Sequence, residues 1–173
     1  VVPDILVLGK ALGGGILPIA AVLAKAELDV GGEFAFGHYT HEKNPVTAKA
    51  ALTTIEIIEQ EGLVENAAKL GKYMLEQLKL LKVEHPSIGD VRGRGLLLGV
   101  ELVLNQKEKT PANDLAEDVL YRCLNKGLSF KISMGNVLTL SPPLIISKAQ
   151  IDLSLSIINE SLCEAENLFG LVN

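Results

Sequence analysis

From Leu63 to about Val83, apolar side chains return at Ala67, Leu70, Met74, Leu78 and Leu81, in steps of three and four, with Glu and Lys elsewhere. That spacing predicts an amphipathic helix with one apolar stripe, and such a stripe must lie against another layer to be stable. The rest of the chain supplies the layer in strand-length pieces. Leu96 to Leu104 reads as a strand broken by Gly99, and Leu128 to Ile132 and Val137 to Leu140 as short strands joined by a Gly135-Asn136 turn. Pro142-Pro143 ends the last of them, and the polar run Asn105 to Asn113 predicts a surface loop. Two further helices alternate with these strands. Leu115 to Lys126 closes on Gly127 at the C′ position. Ser147 with Gln150 three residues on makes a capping box, opening a helix with Ile151, Leu155, Ile158 and Leu162 on one face. Residues from about 63 onward thus predict an α+β layer sandwich.

The first part reads differently. Ile5 to Leu8 is a continuous apolar run between Pro3-Asp4 and Gly9, which suits a strand buried on both faces. Gly13-Gly14-Gly15 predicts a tight turn, and Pro18 to Leu23 resumes an apolar run, giving strand, glycine turn, strand, with Lys10 at the exit of the first strand. Glu27 to Lys43, which contains Gly37-His38-Tyr39-Thr40-His41, reads as loop. Asn44-Pro45 then starts a helix, Asn as N-cap and Pro at the first helical position, running from about Val46 to Gln60 and stopping near Gly62. Two strands, a loop and a helix are too little to close a core, so the chain divides at about residue 60, into 1–60 and 61–173. It opens at Val1, without an initiator Met and inside an apolar pattern, which predicts a fragment beginning near the end of a larger domain.

Composition narrows the function classes. The chain has 173 residues and a formal net charge of −5, and its isoelectric point is near 5.2. A nucleic-acid binder or an anionic-membrane binder needs a basic face, so both are excluded. The mean hydropathy of +0.31 raises the question of a membrane span. The most apolar stretch, Ile5 to Leu28, is interrupted by Lys10, the three glycines, Pro18 and Lys25, and so falls short of the roughly 20 apolar residues a span needs. The opening residues carry no signal-peptide pattern, having no basic start and an Asp at position 4. Cys123 and Cys163 belong to no CxxC or CxxH spacing and read as reduced core residues of a cytosolic protein, with no metal site.

Lys10 is the residue that carries candidate chemistry. An apolar strand brings it to the edge of a sheet, with glycine on both sides leaving open space. Two readings fit it: a surface lysine that closes a strand, or an amine in a low-dielectric setting, displaced toward its neutral form and able to form a Schiff base with a carbonyl.

The segment Pro3-Asp4-Ile5-Leu6-Val7-Leu8-Gly9-Lys10-Ala11-Leu12-Gly13-Gly14-Gly15, followed by Pro18-Ile19-Ala20-Ala21-Val22, closely resembles the cofactor-lysine segment of the class III aminotransferases, pyridoxal-phosphate enzymes of fold type I. A second likeness follows at the family's spacing: Thr40 stands four residues before Asn44-Pro45, which opens an Ala-rich helix. A third is Val91-Arg92-Gly93-Arg94-Gly95-Leu96-Leu97-Leu98-Gly99-Val100-Glu101, similar to a strand of the family's small domain. A fourth is Gly135 to Leu144, similar to its late strand and Pro-Pro-Leu turn. No dinucleotide fingerprint fits glycines at 93, 95 and 99, and no P-loop fits Gly9-Lys10, since Asp4 stands where its first Gly would be.

The resemblance implies an α/β fold class: the end of a large pyridoxal-phosphate-binding α/β domain, with the cofactor lysine and an interdomain helix, then a small α+β C-terminal domain. It implies that Lys10 carries pyridoxal 5′-phosphate as a Schiff base and moves protons as general base and acid. It further implies that Thr40 donates to the cofactor phosphate of the neighbouring subunit of a homodimer. The activity implied is transfer of an amino group between a small amino donor and a keto acid or aldehyde. The ring-stacking aromatic, the Asp on the ring nitrogen and most of the phosphate cradle would lie outside this sequence, so the chain alone is expected to turn over little substrate.

Two departures qualify that. Members acting on α-amino acids commonly carry an Arg in the late strand, and the matching residue here is Thr139, which cannot pair with a carboxylate as a guanidinium fork does. The arginines of the chain are Arg92, Arg94 and Arg122, so a carboxylate clamp would be Arg92 or Arg94 or lie elsewhere. A racemase, decarboxylase or ammonia-lyase of the same superfamily is the alternative chemistry, and an inactive small-domain fragment the alternative for the chain itself. His41-Glu42-Lys43 after Thr40 either tune substrate choice or are solvated loop. His38 and His85 read as loop residues, His85-Pro86 capping the preceding helix, and the carboxylates lie on helix exteriors with no acid–base pair among them.

Overall fold

The computed structural model describes residues 2–34, 37 and 40–172. The chain forms two compact units, Val1–Gly62 and Leu63–Asn173. The expectation made for His38 lies outside the described residues, as does part of the loop before Thr40.

In the first unit, β1 (Ile5–Leu8) and β2 (Ala21–Ala24) form an antiparallel hairpin, Ile5 opposite Ala24 and Leu8 opposite Ala21. A 3-10 turn over Lys10–Gly13 begins the connection, and α1 (Pro45–Gln60) ends the unit. The Asn44 side chain accepts from the Val46 N–H at 2.9 Å, with Pro45 at the head of the helix, as the sequence predicted. Burial of β1 did not follow. Ile5 is 54% exposed and Val7 70%, because the strand has one antiparallel neighbour and no second sheet or helix layer within its own unit covers its faces.

The second unit is an antiparallel sheet with helices packed on it. Its elements are α2 (Leu63–Glu84), β3 (Ile88–Arg94), β4 (Leu97–Asn105), β5 (Thr110–Pro111), α3 (Asn113–Asn125), β6 (Lys131–Ser133), β7 (Val137–Leu140) and α4 (Lys148–Leu168). Strand order is β3-β4-β7-β6, with β5 also on β4. Leu98, Val100 and Leu102 alternate inward along β4 and share one buried core with Leu70, Met74 and Leu78 of α2, Leu115 and Val119 of α3, and Ile151, Ile158 and Leu162 of α4. Each such fully buried side chain contributes about 1.5–3 kcal/mol from burial. The capping box forms as predicted: the Gln150 N–H donates to Ser147 Oγ, and the Ser147 N–H donates to Gln150 Oε1 at 2.9 Å. Among the described residues no helix is long and apolar enough to cross a membrane.

Several local expectations change. Gly99 does not break its strand. It sits between Arg92 of β3 and Thr139 of β7, laddered on both sides in the middle of the sheet, where a Cβ would come within 3.2 Å of Val137. The sheet begins earlier than the Arg-Gly run, at Ile88. Part of the polar loop pairs with β4 as β5. Leu128 to Phe130 stay outside β6. The tip of the β6–β7 turn is Met134-Gly135, both at positive φ, while the Asn136 side chain turns inward to donate to the Leu102 carbonyl at 2.8 Å. Cys123 is buried as expected, and Cys163 is exposed. Gly71 has a packing reason that the stripe did not reveal: a Cβ there would stand 2.0 Å from the Gly95 carbonyl oxygen, so only glycine lets α2 approach the β3–β4 turn.

Candidate functional site

Hydrogen bonding of β1 to β2 carries the chain straight to Gly9 and releases it there into the 3-10 turn. Lys10 is the first residue of that turn and has φ +50°. A left-handed backbone costs a side-chain-bearing residue about 1–2 kcal/mol, and such strain persists only where the surroundings impose it. Here the Leu12 N–H donates to the Gly9 carbonyl at 3.2 Å and the Gly14 N–H to the Ala11 carbonyl at 2.9 Å, pinning both sides of the turn. Gly14 itself is left-handed at φ +71°, and a Cβ on it would come 3.2 Å from Thr54 Oγ1 of α1. That hydroxyl donates to the Ala50 carbonyl at 2.8 Å. The glycine turn therefore rests against α1, and the helix started by Asn44 supports the strained lysine. A Cβ on Gly15 would meet nothing within 4 Å, so open space lies beside the turn. The Lys10 side chain is exposed. The carboxylate nearest in sequence, Asp4, is held by Lys25 at 2.5 Å.

Thr40 is exposed and opens the turn that leads through Lys43, at φ +58°, to the Asn44 cap. Among the described residues no hydrogen bond joins Lys10 to Thr40, although both belong to the first unit.

The arginines differ from one another. Arg92 donates to Asp90 at 2.9 Å and Glu101 at 2.6 Å, and these two carboxylates raise its pKa further, so that guanidinium is already neutralised. Arg122 is held by Asp118 and by Glu164. Arg94 is exposed at the end of β3. Thr139 lies opposite Lys131 on β6, and its hydroxyl shares a 2.8 Å hydrogen bond with that of Ser133. A groove of about 660 Å³ in the second unit is lined mainly by Met74, Leu128, Phe130, Leu140 and Ile146, with Lys131 and Thr139 among its polar residues. Burial pushes the Cys123 thiol up, which keeps it protonated and inert.

One cluster extends one expectation and overturns another. His85 does follow the end of α2 as a loop residue, its N–H donating to the Leu81 carbonyl at 2.9 Å, but it is buried, 3% exposed, with Nδ1 2.7 Å from Glu166 Oε2 and Nε2 2.8 Å from Asn159 Oδ1. Glu166 is no exterior carboxylate: it is 2% exposed and accepts from both the N–H and the hydroxyl of Ser87. A signal existed in the sequence. Continuing the stripe Ile151, Leu155, Ile158, Leu162 by one step of four lands on Glu166, a carboxylate on the buried face.

Comparison with known proteins completes the description. A family model described as "Aminotransferase class-III" matches residues 1–162. The chain is 51% identical over 162 residues to the (R)-1-hydroxy-2-aminoethylphosphonate ammonia-lyase of Vibrio splendidus (strain 12B01), covering 94% of this chain and 34% of that protein. It is 42% identical over 165 residues to the leucine/methionine racemase of Thermococcus litoralis (strain ATCC 51850 / DSM 5473 / JCM 8560 / NS-C), covering 95% of this chain and 37% of that one. Its structure superposes on that of a Bacillus anthracis aminotransferase with a TM-score of 0.87 at 36% identity, covering 94% and 39% of the two chains. The chain thus spans about a third of the length of the curated relatives it matches.

Proposed function

This chain belongs to the class III aminotransferases, and from that premise we propose that Lys10 is the residue that binds pyridoxal 5′-phosphate and that the whole protein acts on the amino group of a small primary amine. The observation that carries the reading is the backbone of Lys10: a lysine held at φ +50° at the end of a strand, exposed, beside a glycine turn with open space around it. The positive φ alone does not single Lys10 out, since Lys43, Lys109 and Met134 share it. What supports the reading is its combination with a strand exit and the open space beside the glycine turn. The surroundings fit the cofactor, since the amine is accessible and no Cβ from the glycines crowds it.

Lys10 Nζ would hold the aldehyde carbon of the cofactor and give way to the substrate amine. Freed, the same amine takes a proton from the substrate carbon that bears nitrogen and returns it during turnover. The cofactor, when bound, supplies an electron sink for the bond broken at that carbon. Thr40, exposed and ahead of the α1 cap, donates to the phosphate held by the neighbouring subunit of a homodimer. The enzyme works in the cytoplasm.

The reaction follows the family: transfer of the amino group to a keto acid or aldehyde. A second reading, elimination of ammonia from a small amine whose acid group is not an α-carboxylate, is favoured by one feature of β7. Thr139, hydrogen-bonded to Ser133, stands where the family's α-amino-acid enzymes carry an arginine fork, and the 51%-identical relative is named for ammonia loss from an aminophosphonate.

Borohydride reduction of the whole protein with pyridoxal phosphate, followed by digestion and mass spectrometry, tests the site. A pyridoxyl group on Lys10, lost in Lys10→Ala, is expected; label on other lysines alone overturns the assignment. The same protein given amines without an acceptor separates the reactions. Acceptor-dependent appearance of a new amino compound marks transfer, free ammonia without acceptor marks elimination, and an inverted centre with neither marks racemisation.

A further inference from the structure

The buried polar cluster of the second unit is independent of the Lys10 reading. Glu166 sits on α4 two turns beyond Asn159, on the same side as the core residues Ile158 and Leu162. A carboxylate so deep is tolerated only when its oxygens are bonded, and they are. Oε1 accepts from the Ser87 N–H at 3.0 Å and from the Ser87 hydroxyl at 2.5 Å, and Oε2 lies 2.7 Å from His85 Nδ1. The other ring nitrogen, Nε2, lies 2.8 Å from the amide oxygen of Asn159. Both nitrogens therefore face acceptors, and an imidazole satisfies two acceptors only with a proton on each nitrogen. The arrangement is that of an imidazolium beside a carboxylate.

The cluster is not a nucleophile triad, because the Ser87 hydroxyl donates to the carboxylate and not to the imidazole, and all three groups are closed to solvent. Its place is structural. His85 and Ser87 occupy the link from α2 to β3, whereas Asn159 and Glu166 belong to the second half of α4. We propose that these four residues form a proton-dependent latch that fastens the end of α4 over the α2–β3 link, closed while His85 carries two ring protons and loosened when one is lost.

The groups around the imidazole are Glu166 and Asn159 from α4, Glu84 from the end of α2, Ser87 ahead of β3, and Gln106 after β4, whose amide donates to the His85 carbonyl at 3.4 Å. Burial alone would lower the imidazole, but the bonds to Glu166 and Asn159 and the charges of Glu166 and Glu84 outweigh it and hold His85 above its ordinary value of 6.5. Burial would raise Glu166, and the donors His85 and Ser87 outweigh that, holding it below its ordinary 4.5. Folding thus takes up a proton at His85. The stabilisation is complete below pH 6.5 and is lost as pH climbs through the raised folded value. The Glu166 share is present above pH 4.5 and is lost as pH falls through its lowered value. The latch is tightest between those limits and opens on the alkaline side.

Nitrogen NMR of His85 in the 173-residue chain, with hydrogen exchange of the α4 amides, tests this. Two protonated ring nitrogens at pH 6 and a titration midpoint above 6.5 are expected. Opening of the second half of α4, corrected for intrinsic exchange, should rise up to about tenfold per pH unit above 6.5, the limit for release of one proton. Asn159→Asp places a second carboxylate on Nε2 and should move both the NMR midpoint and the opening upward in pH, a change that a merely structural role would not make. A neutral His85 at pH 6, or a midpoint that Asn159→Asp leaves in place or lowers, overturns the proposal.

Discussion

β1 and β4 are built from the same kinds of residue and end in opposite environments. Ile5, Leu6 and Val7 are exposed in a two-stranded hairpin, whereas Leu98, Val100 and Leu102 are wholly buried. Side-chain hydrophobicity does not distinguish the two strands. What differs is cover. β4 has β3 and β7 beside it and contacts α2 and α3, with residues of α4 completing the same core, so alternate residues meet a dense core. β1 has one partner strand and no helix over its faces within the described unit. An apolar strand is thus a demand for a second layer, and the chain meets that demand only from Leu63 onward. The same contrast holds for the candidate chemistry. The uncovered hairpin presents a strained, accessible lysine, while the covered unit keeps its histidine and carboxylate pair in the dark.

Paired truncations give the largest expected effect. Leu78→Ala, removing a fully buried side chain, should cost about 3 kcal/mol in denaturant unfolding of the second unit. Val7→Ala, 70% exposed, should cost about 0.5 kcal/mol or less. Equal losses at the two sites would remove the contrast. Next in size is Gly71→Ala, which forces a Cβ onto the Gly95 carbonyl and should destabilise by about 2 kcal/mol although alanine is the better helix former. A neutral or stabilising result would mean that α2 does not lie so close to the β3–β4 turn. The smallest effect sharpens the functional side. Lys10→Gly relieves the left-handed backbone at the cost of glycine's extra chain entropy, a net gain of about 0.5 kcal/mol. It should slow exchange of the β1–β2 amides about twofold while abolishing pyridoxyl labelling. Faster exchange would show that Lys10 is not strained.

Much of the candidate site was legible because it is local. The exit of Lys10 from a strand, the glycine turn after it and the Asn44-Pro45 start of the supporting helix each depend on a few adjacent residues. The φ of Lys10 and the seat of Gly14 against Thr54 were not, since they arise where the turn meets a helix some forty residues on. Thr40 shows a limit of another kind: its turn is local, but the phosphate proposed for it would come from a second subunit.

The sequence by itself determined the helices with their stripes, the capping box at Ser147, the cap at Asn44, the hairpin and the lysine it presents. All of these follow from spacing within a turn or two of chain. Only the tertiary structure decided which apolar runs are covered, that Gly99 lies inside a strand, that Cys163 is outside the core, and that His85 meets Glu166 across 81 residues. Those outcomes depend on what packs against a segment. A period of 3.6 or 2 identifies a face, but the neighbour that buries it is brought by chain distant in sequence.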